Sequence, residues 1–463
     1  MALTAIVFWI AYVSGMCAAI VYPLVGIGLY VLVYHVNPTT QWWGSSFAQT
    51  GIRPSLSIAL ATLVGILLRP PRMGNGARQF PAPVVCALAL IGYALLSCAW
   101  AEAEYTRTAA TAEKVLKLAI FMLMLVRCVR TADQYAFVFL SWIIGVTYIG
   151  YEACGGAGSM HGGRLTANLG GPDFDESSGL AVHLVASLPL IGALFFVARK
   201  WWGRLFALVS GAMTVNTIVM TRTRNAVFGV AAMAVLAVFW LPRGYRLKGL
   251  LAIGVGLLLT LRLTDPLWWQ RMRTIQDYEG DPSATDRLVY WRTALDMAKE
   301  NPLGIGLGQF HLKYTEYTED TRRRGAHSTF MSCLAELGFP GLLLLMTVAG
   351  VSLSRLGQVR SLSYHLPADI PVQLGRWTSR FHLGWHAMAL QSALVAYLAC
   401  GIFTTRLWTE GFWILIGLSA CLGNVARDLQ ARSARIDQTE PANWSTAARM
   451  PEGLAPPATQ GQA

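Results

Sequence analysis

Charge is what this sequence has least of. Only 13% of its residues are Asp, Glu, Lys or Arg, and 54% are hydrophobic. Soluble domains carry about 25% charged residues, so a water-soluble globular fold is excluded for most of the chain. The 8 cysteines form no C-x-x-C pair and no Cys/His zinc spacing, and most sit inside apolar runs, which leaves them as structural thiols. The apolar start, residues 1–34, lacks a basic n-region and an A-x-A-like site, so no cleaved signal peptide is expected. A glycine-rich phosphate loop on a soluble domain is also missing, and no nucleotide-sugar or nicotinamide cofactor is expected.

What is present is a series of apolar blocks of about 17–25 residues, the length that crosses a bilayer. They lie near 4–34, 52–69, 82–99, 113–127, 133–152, 178–198, 205–220, 225–241, 248–264, 328–352, 384–402 and 410–424. Backbone groups in lipid must bond internally, and unbroken runs favour helices over a barrel. The expectation is an all-α polytopic membrane protein of about twelve spans. The first block is too long for one upright helix, so it either tilts or breaks near Ser14-Gly15 or Pro23.

The net charge of +12 would suggest nucleic acid in a soluble protein. Here it follows the positive-inside rule instead, and no nucleic-acid partner is expected. Arg69, Arg72 and Arg78, then Arg127 and Arg130, Arg199, Lys200 and Arg204, Arg243, Arg246 and Lys248, and Arg355, Arg360, Arg376 and Arg380 all fall on one side, which the rule makes cytoplasmic. Both termini then lie there. Residues 1–425 read as the membrane domain, with an outer loop at 265–327, and 426–463, rich in Ala, Pro and Gln, as a disordered cytoplasmic tail.

The other face breaks the charge rule. Arg222 and Arg224 stand in "MTRTRNAVF", Arg287 and Arg292 on the helix-like "DRLVYWRTALDMAKEN", and Arg322, Arg323 and Arg324 just before His327. In that helix Asp286 is the expected N-cap and Leu288, Trp291, Leu295 and Ala298 share the apolar face. "GIGLGQF" follows as a flexible turn. Guanidinium forks suit phosphate oxygens, so an anionic lipid-linked pyrophosphate fits this face. The plainer alternatives are headgroup contact for the triplet and an ion pair with Asp296 for Arg292. His327 is the candidate base, because arginines beside it favour the neutral imidazole; the other histidines offer no comparable setting. Glu336 lies inside the next apolar run and needs a partner there, for which Arg224 is the suggested cation. "DFDE", Asp173 to Glu176, suits either a metal or helix capping before 178–198, and capping is the simpler account. Lys114 and Lys117 either reach a phosphate or snorkel.

Taken in order, "TRTRNA", "DRLVYWRTALDMAKENPLGIGLGQF" and "AHSTFMSCLAELGFPGLLLL" resemble the O-antigen ligase and O-antigen polymerase superfamily of bacterial inner membranes. The segment "VGIGLYVLVYHVNPTTQWWG" resembles the ligase-like branch associated with exosortase systems. The resemblance implies a metal-independent GT-C-type glycosyltransferase. Such an enzyme passes a glycan from an undecaprenyl-pyrophosphate donor to an acceptor, the lipid A core in ligases, at the periplasmic side. Relatives extend polymers or glycosylate proteins; a transporter or flippase is the reading from another class. The family's arginine in a Ser-Arg-Gly-Ala-like stretch falls on Arg224, with Thr-Arg-Asn-Ala here and Arg222 a close competitor. Its loop arginine falls on Arg287 and its histidine on His327. Arg222, Arg292, Arg324, Glu336 and Lys117 complete the expected substrate-binding set, with membrane lipids as further partners.

Overall fold

The computed structural model describes residues 3–70, 80–101, 105–241, 243–264, 266–273, 282–366, 370–374 and 377–439. Arg72, Arg78 and Arg376 lie outside the described residues. The helices are α1 (Leu3–Val21), α2 (Pro23–Val36), α3 (Ser45–Thr50), α4 (Pro54–Leu68), α5 (Ala82–Leu96), α6 (Tyr105–Cys128), α7 (Ala132–Cys154), α8 (Ser177–Val197) and α9 (Trp201–Thr221). They continue as α10 (Arg224–Trp240), α11 (Arg243–Leu263), α12 (Pro266–Arg273), α13 (Pro282–Glu300), α14 (Phe310–Tyr317), α15 (Thr329–Leu362), α16 (Leu383–Gly401) and α17 (Glu410–Thr439). Two short antiparallel hairpins, β1 (Ser159–His161) with β2 (Arg164–Ala167) and β3 (Ile370–Leu374) with β4 (Trp377–Phe381), sit in loops between helices.

Among the described residues, 8 helices are long and apolar enough to cross a membrane, so the chain is an α-helical polytopic membrane protein. Of the other expected spans, α4 and α10 are apolar but short. Polar residues interrupt the remaining two: Arg107, Glu113, Lys114 and Lys117 in α6, and Arg243, Arg246, Lys248 and Arg262 in α11. The first block breaks at Pro23, which opens α2 at a position where its missing N–H costs nothing. Burial ranks the helices: the apolar window of α17 is 83% buried and that of α1 only 17%, so α17 runs through the protein core while α1 faces outward. Aromatic side chains such as Trp142, Trp413 and Tyr135 fill that core. The membrane domain was expected to end at 425, yet α17 continues to Thr439, helped by an Asp428–Arg432 pair one turn apart at 2.8 Å. Residues 440–463 lie outside the described set.

One irregularity places the site. Helix α15 is broken at Gly338, whose φ is 65° and ψ −166°. A break at this depth exposes backbone groups that lipid cannot satisfy. The "NPLGIG" segment satisfies them: Ile305 N–H donates to Ala335 O at 3.0 Å, Gly306 N–H to Glu336 O at 2.9 Å, and Phe339 N–H to Pro302 O at 3.0 Å. The approach is too close for side chains. A Cβ on Gly338 would lie 2.1 Å from Pro302 O, and one on Gly304 2.3 Å from Glu336 O. The "GIGLGQF" stretch, expected to be a flexible turn, is therefore pinned to the broken helix. Helix α13 also differs from expectation. It starts at Pro282, so Asp286 lies inside it instead of capping it. Its buried face is Tyr290, Ala294, Met297 and Ala298, packed with Phe310, Tyr314 and Ala335, while Leu288 and Leu295 stay exposed. The 3.6-residue period was right, but its phase was set by the partners across the loop.

Candidate active site

His327 occupies the residue before the α15 N-cap. Its backbone is left-handed, with φ 45°, a region His visits more readily than most residues but still uncommon. What holds it there is the short loop between α16 and α17. Thr329 Oγ1 donates to Thr404 O at 2.7 Å and accepts from the Arg406 N–H at 3.0 Å, and Thr405 Oγ1 donates to Ser328 O at 3.5 Å. Ser328 Oγ in turn accepts the Met331 N–H at 3.4 Å, capping α15. The imidazole keeps solvent-exposed surface yet stands in a crowded mouth, with the Tyr290 ring 5.9 Å away between centroids. Desolvation lowers its pKa below the ordinary value, and the Arg287 charge adds to this most among its neighbours. Glu176 opposes the shift, while Arg406 and Arg324 reinforce it.

A second histidine shares the setting. His311, on α14, lies against the Gly325 backbone: a Cβ there would be 2.9 Å from His311 Cε1. Burial, then Arg107 and His327, pull its pKa down to about 4. The sequence offered no sign of this, because α14 brings His311 to residue 325 only through the loop's tertiary packing.

Arg406 is the residue that sequence reasoning missed. Its side chain is 12% exposed. Nη2 pairs with Glu176 Oε2 at 2.6 Å and reaches Ser178 Oγ at 3.5 Å, and Nη1 donates to Asp173 O at 3.3 Å. Nε is buried with no hydrogen-bond partner. The signal was available: Arg406 is one more cation on the face where the charge rule predicts few. Asn225, next to Arg224, donates to Ser178 O at 3.5 Å, so the start of α10 meets the same knot at the start of α8.

The "DFDE" carboxylates split between partners. Asp173 is buried, accepting Lys114 Nζ at 2.7 Å, the Glu410 N–H at 2.7 Å and the Tyr34 hydroxyl at 3.3 Å. It caps α17, not the α8 helix that follows it. Glu176 is the N-cap residue of α8 but makes no side-chain cap bond there; it is spent on Arg406. Among the described residues no three His, Cys, Asp or Glu side chains gather to hold a metal.

The expected site residues divide in the same way. The charges of Arg287 and Arg324 bear on His327. Arg324 also pairs with Asp320 at 3.4 Å, as does Arg322 at 2.9 Å; these two arginines hold the carboxyl at a pKa of about 2, with the Arg322 bonds foremost. Arg222, with φ 46°, terminates α9 and runs against the β1–β2 turn, where a Cβ on Gly163 would be 2.3 Å from its Nη1. Arg292 is exposed on α13, and the partner expected for it, Asp296, pairs with Lys299 at 2.9 Å. Lys117 pairs with Glu113 one turn back, leaving Lys114 as the lysine that reaches a buried acid. Glu336 accepts the Phe310 N–H at 3.4 Å and faces the Gly308 N–H as well. Its role in the structure is to cap α14; the cation whose charge bears on it is Arg107, not Arg224.

No curated protein matches the chain. The family model described as O-Antigen ligase matches residues 207–346. That segment runs from α9 into α15 and contains Arg222, Arg224, Arg287, Arg324 and His327. Members of this family are glycosyltransferase-like enzymes, and the match supports ligase- or polymerase-like activity in general. The similarity to the O-antigen ligase-like superfamily is carried by this segment.

Proposed function

We propose that this protein is an O-antigen ligase. It moves a glycan from an undecaprenyl-pyrophosphate donor to a hydroxyl of the lipid A core, at the periplasmic face of the bacterial inner membrane. The fold in this reading is of GT-C type with about twelve spans. The observation that carries the proposal is a left-handed His327 held at the start of α15 by the α16–α17 loop, with the charges of Arg287, Arg324 and Arg406 bearing on it. Cations that disfavour imidazolium leave His327 neutral near pH 7 and able to accept a proton.

The chemistry then follows. His327 takes the proton from the acceptor hydroxyl as its oxygen forms a bond to the anomeric carbon. The bond from that carbon to the pyrophosphate oxygen breaks, and the electron pair leaves on the pyrophosphate. Arg224 and Arg287 bind the pyrophosphate and stabilise the charge growing on it. One displacement inverts the anomeric centre. Arg222, Arg292, Arg324, Glu336 and Lys117 are the proposed supporting set. Within it, Arg324 has the most direct support, from its charge at His327, and Glu336 acts through the loop it caps.

Purified His327→Ala, checked for intact folding, tests the base. Transfer should fall about a hundredfold or more, and near wild-type transfer would remove His327 from the role. Gene deletion tests the acceptor: capped lipopolysaccharide should vanish while lipid-linked glycan accumulates. Ladders formed without the lipid A core would make the protein a polymerase, and substrate movement across sealed vesicles with no covalent product a transporter.

A further inference from the structure

We propose a second site, at the far end of α10 and α15 from His327, that binds the phosphate group of an anionic phospholipid. Beyond its break at Gly338, helix α15 runs on to Arg360, about 32 Å at 1.5 Å per residue, enough to cross the roughly 30 Å hydrocarbon core. There a cleft of about 390 Å³ lies between the end of α10, the start of α11 and the end of α15, lined by Trp240, Arg246, Gly357, Arg360, Ser361 and Tyr364 among others. The volume is that of a small-molecule site.

Its chemistry is one-sided. No acidic residue is among those that line it. The Arg360 guanidinium stacks on Trp240, 5.1 Å from the ring centroid, which occupies its face and leaves the N–H edge for an oxygen ligand. Its Nη1 is buried without a hydrogen-bond partner, although buried donors are nearly always satisfied. Arg246 is anchored by Nε to Leu241 O at 3.2 Å and by Nη2 to Phe239 O at 3.5 Å, the orphan carbonyls that end α10. Held this way, Arg246 is one of the residues that line the cleft. Two forks, a serine and a tyrosine hydroxyl make a phosphate-sized donor set. Phe239 and Tyr364, each 70% exposed beside it, offer apolar surface to the glycerol and acyl chains. That favours a lipid over free phosphate, because basic pockets between helices at this boundary are where anionic headgroups bind.

The test uses the full-length protein in neutral detergent. Thermal unfolding is followed with added phosphatidylglycerol, phosphatidylcholine or inorganic phosphate. Phosphatidylglycerol should raise the midpoint, the other two should not, and the double variant Arg246→Gln/Arg360→Gln should lose the effect. Native mass spectrometry on the single variants Arg246→Gln and Arg360→Lys gives a readout that survives a folding defect in the double variant. Retention of phosphatidylglycerol should drop about tenfold, in Arg360→Lys too, because the charge remains but the fork does not. Equal stabilisation by phosphatidylglycerol and phosphatidylcholine, or equal retention in wild type and variants, overturns the site. Stabilisation by inorganic phosphate matching that by phosphatidylglycerol overturns the lipid as its source.

Discussion

Substitution of Glu336 separates two roles for a buried carboxylate: an acceptor for backbone N–H groups, or a counter-charge for an arginine. Glu336 is 7% exposed and accepts the Phe310 N–H at 3.4 Å, with the Gly308 N–H as its second donor. Glu336→Leu keeps apolar volume but strips both acceptors. Each buried donor left unpaired costs about 1–3 kcal/mol. The 3.4 Å bond is long and sits at the weak end of that range, so the sum should be about 2–4 kcal/mol. Glu336→Gln keeps a side-chain oxygen of the same reach and should cost about 1 kcal/mol. Unfolding free energy in mixed detergent micelles measures both, and transfer by Glu336→Gln should stay within a few-fold of wild type. The reasoning fails if Gln costs as much as Leu, for then the charge matters and Arg107 is the working partner. It fails equally if Leu costs under about 0.5 kcal/mol.

Other substitutions test neighbouring parts. In the proposed mechanism His327 works as the neutral imidazole, and its pKa lies below the ordinary value, so kcat/KM should be flat near pH 7 and fall only as pH drops below about 6.5. Arg287→Gln removes a cation, raises that pKa and should move the acid limb to higher pH, whatever it does to the plateau; an unmoved limb refutes the coupling. His311 has its folded pKa at about 4, below the unfolded value of about 6.5. Its stabilising contribution is complete above pH 6.5 and is lost as pH falls through about 4, which His311→Gln should abolish in a stability–pH titration. Arg406→Ala removes the side chain that ties the α16–α17 loop to Glu176 and the Asp173 carbonyl. It should lower kcat by roughly ten- to a hundredfold through misplacement of that loop with little change in donor KM, and Arg406→Lys should recover part; an unchanged kcat would remove Arg406 from positioning. Gly338→Ala places a Cβ 2.1 Å from Pro302 O at φ 65° and should destabilise by at least about 3 kcal/mol; a wild-type unfolding midpoint would show that the break is not pinned by the loop.

Much of the architecture was readable along the chain because its causes are local. A block long and apolar enough to cross a bilayer is a property of consecutive residues, and a proline stops a helix wherever it stands, as Pro23 does. The arginines before His327 and at the start of α10 likewise stood out in the sequence, as departures from the expected loop-charge rule. The phase of α13 was not, because a helix with apolar residues on two faces takes its buried side from what it meets, here Phe310 and Tyr314.

Partnerships across the chain were decided only by folding. Glu336 needed an acceptor's role as soon as "NPLGIG" lay in the α15 break, and Lys114, not Lys117, met Asp173 because of where α6 passes the loop before α8. Arg406 is separated from Glu176 by 230 residues, and no periodicity or spacing links them. Buried polar groups must find partners, and that requirement is nearly blind to sequence distance. The sequence therefore set which residues could span the membrane and which could carry charge in its loops; three-dimensional proximity alone assigned each charge its partner and placed the charges of Arg287, Arg324 and Arg406 where they bear on His327.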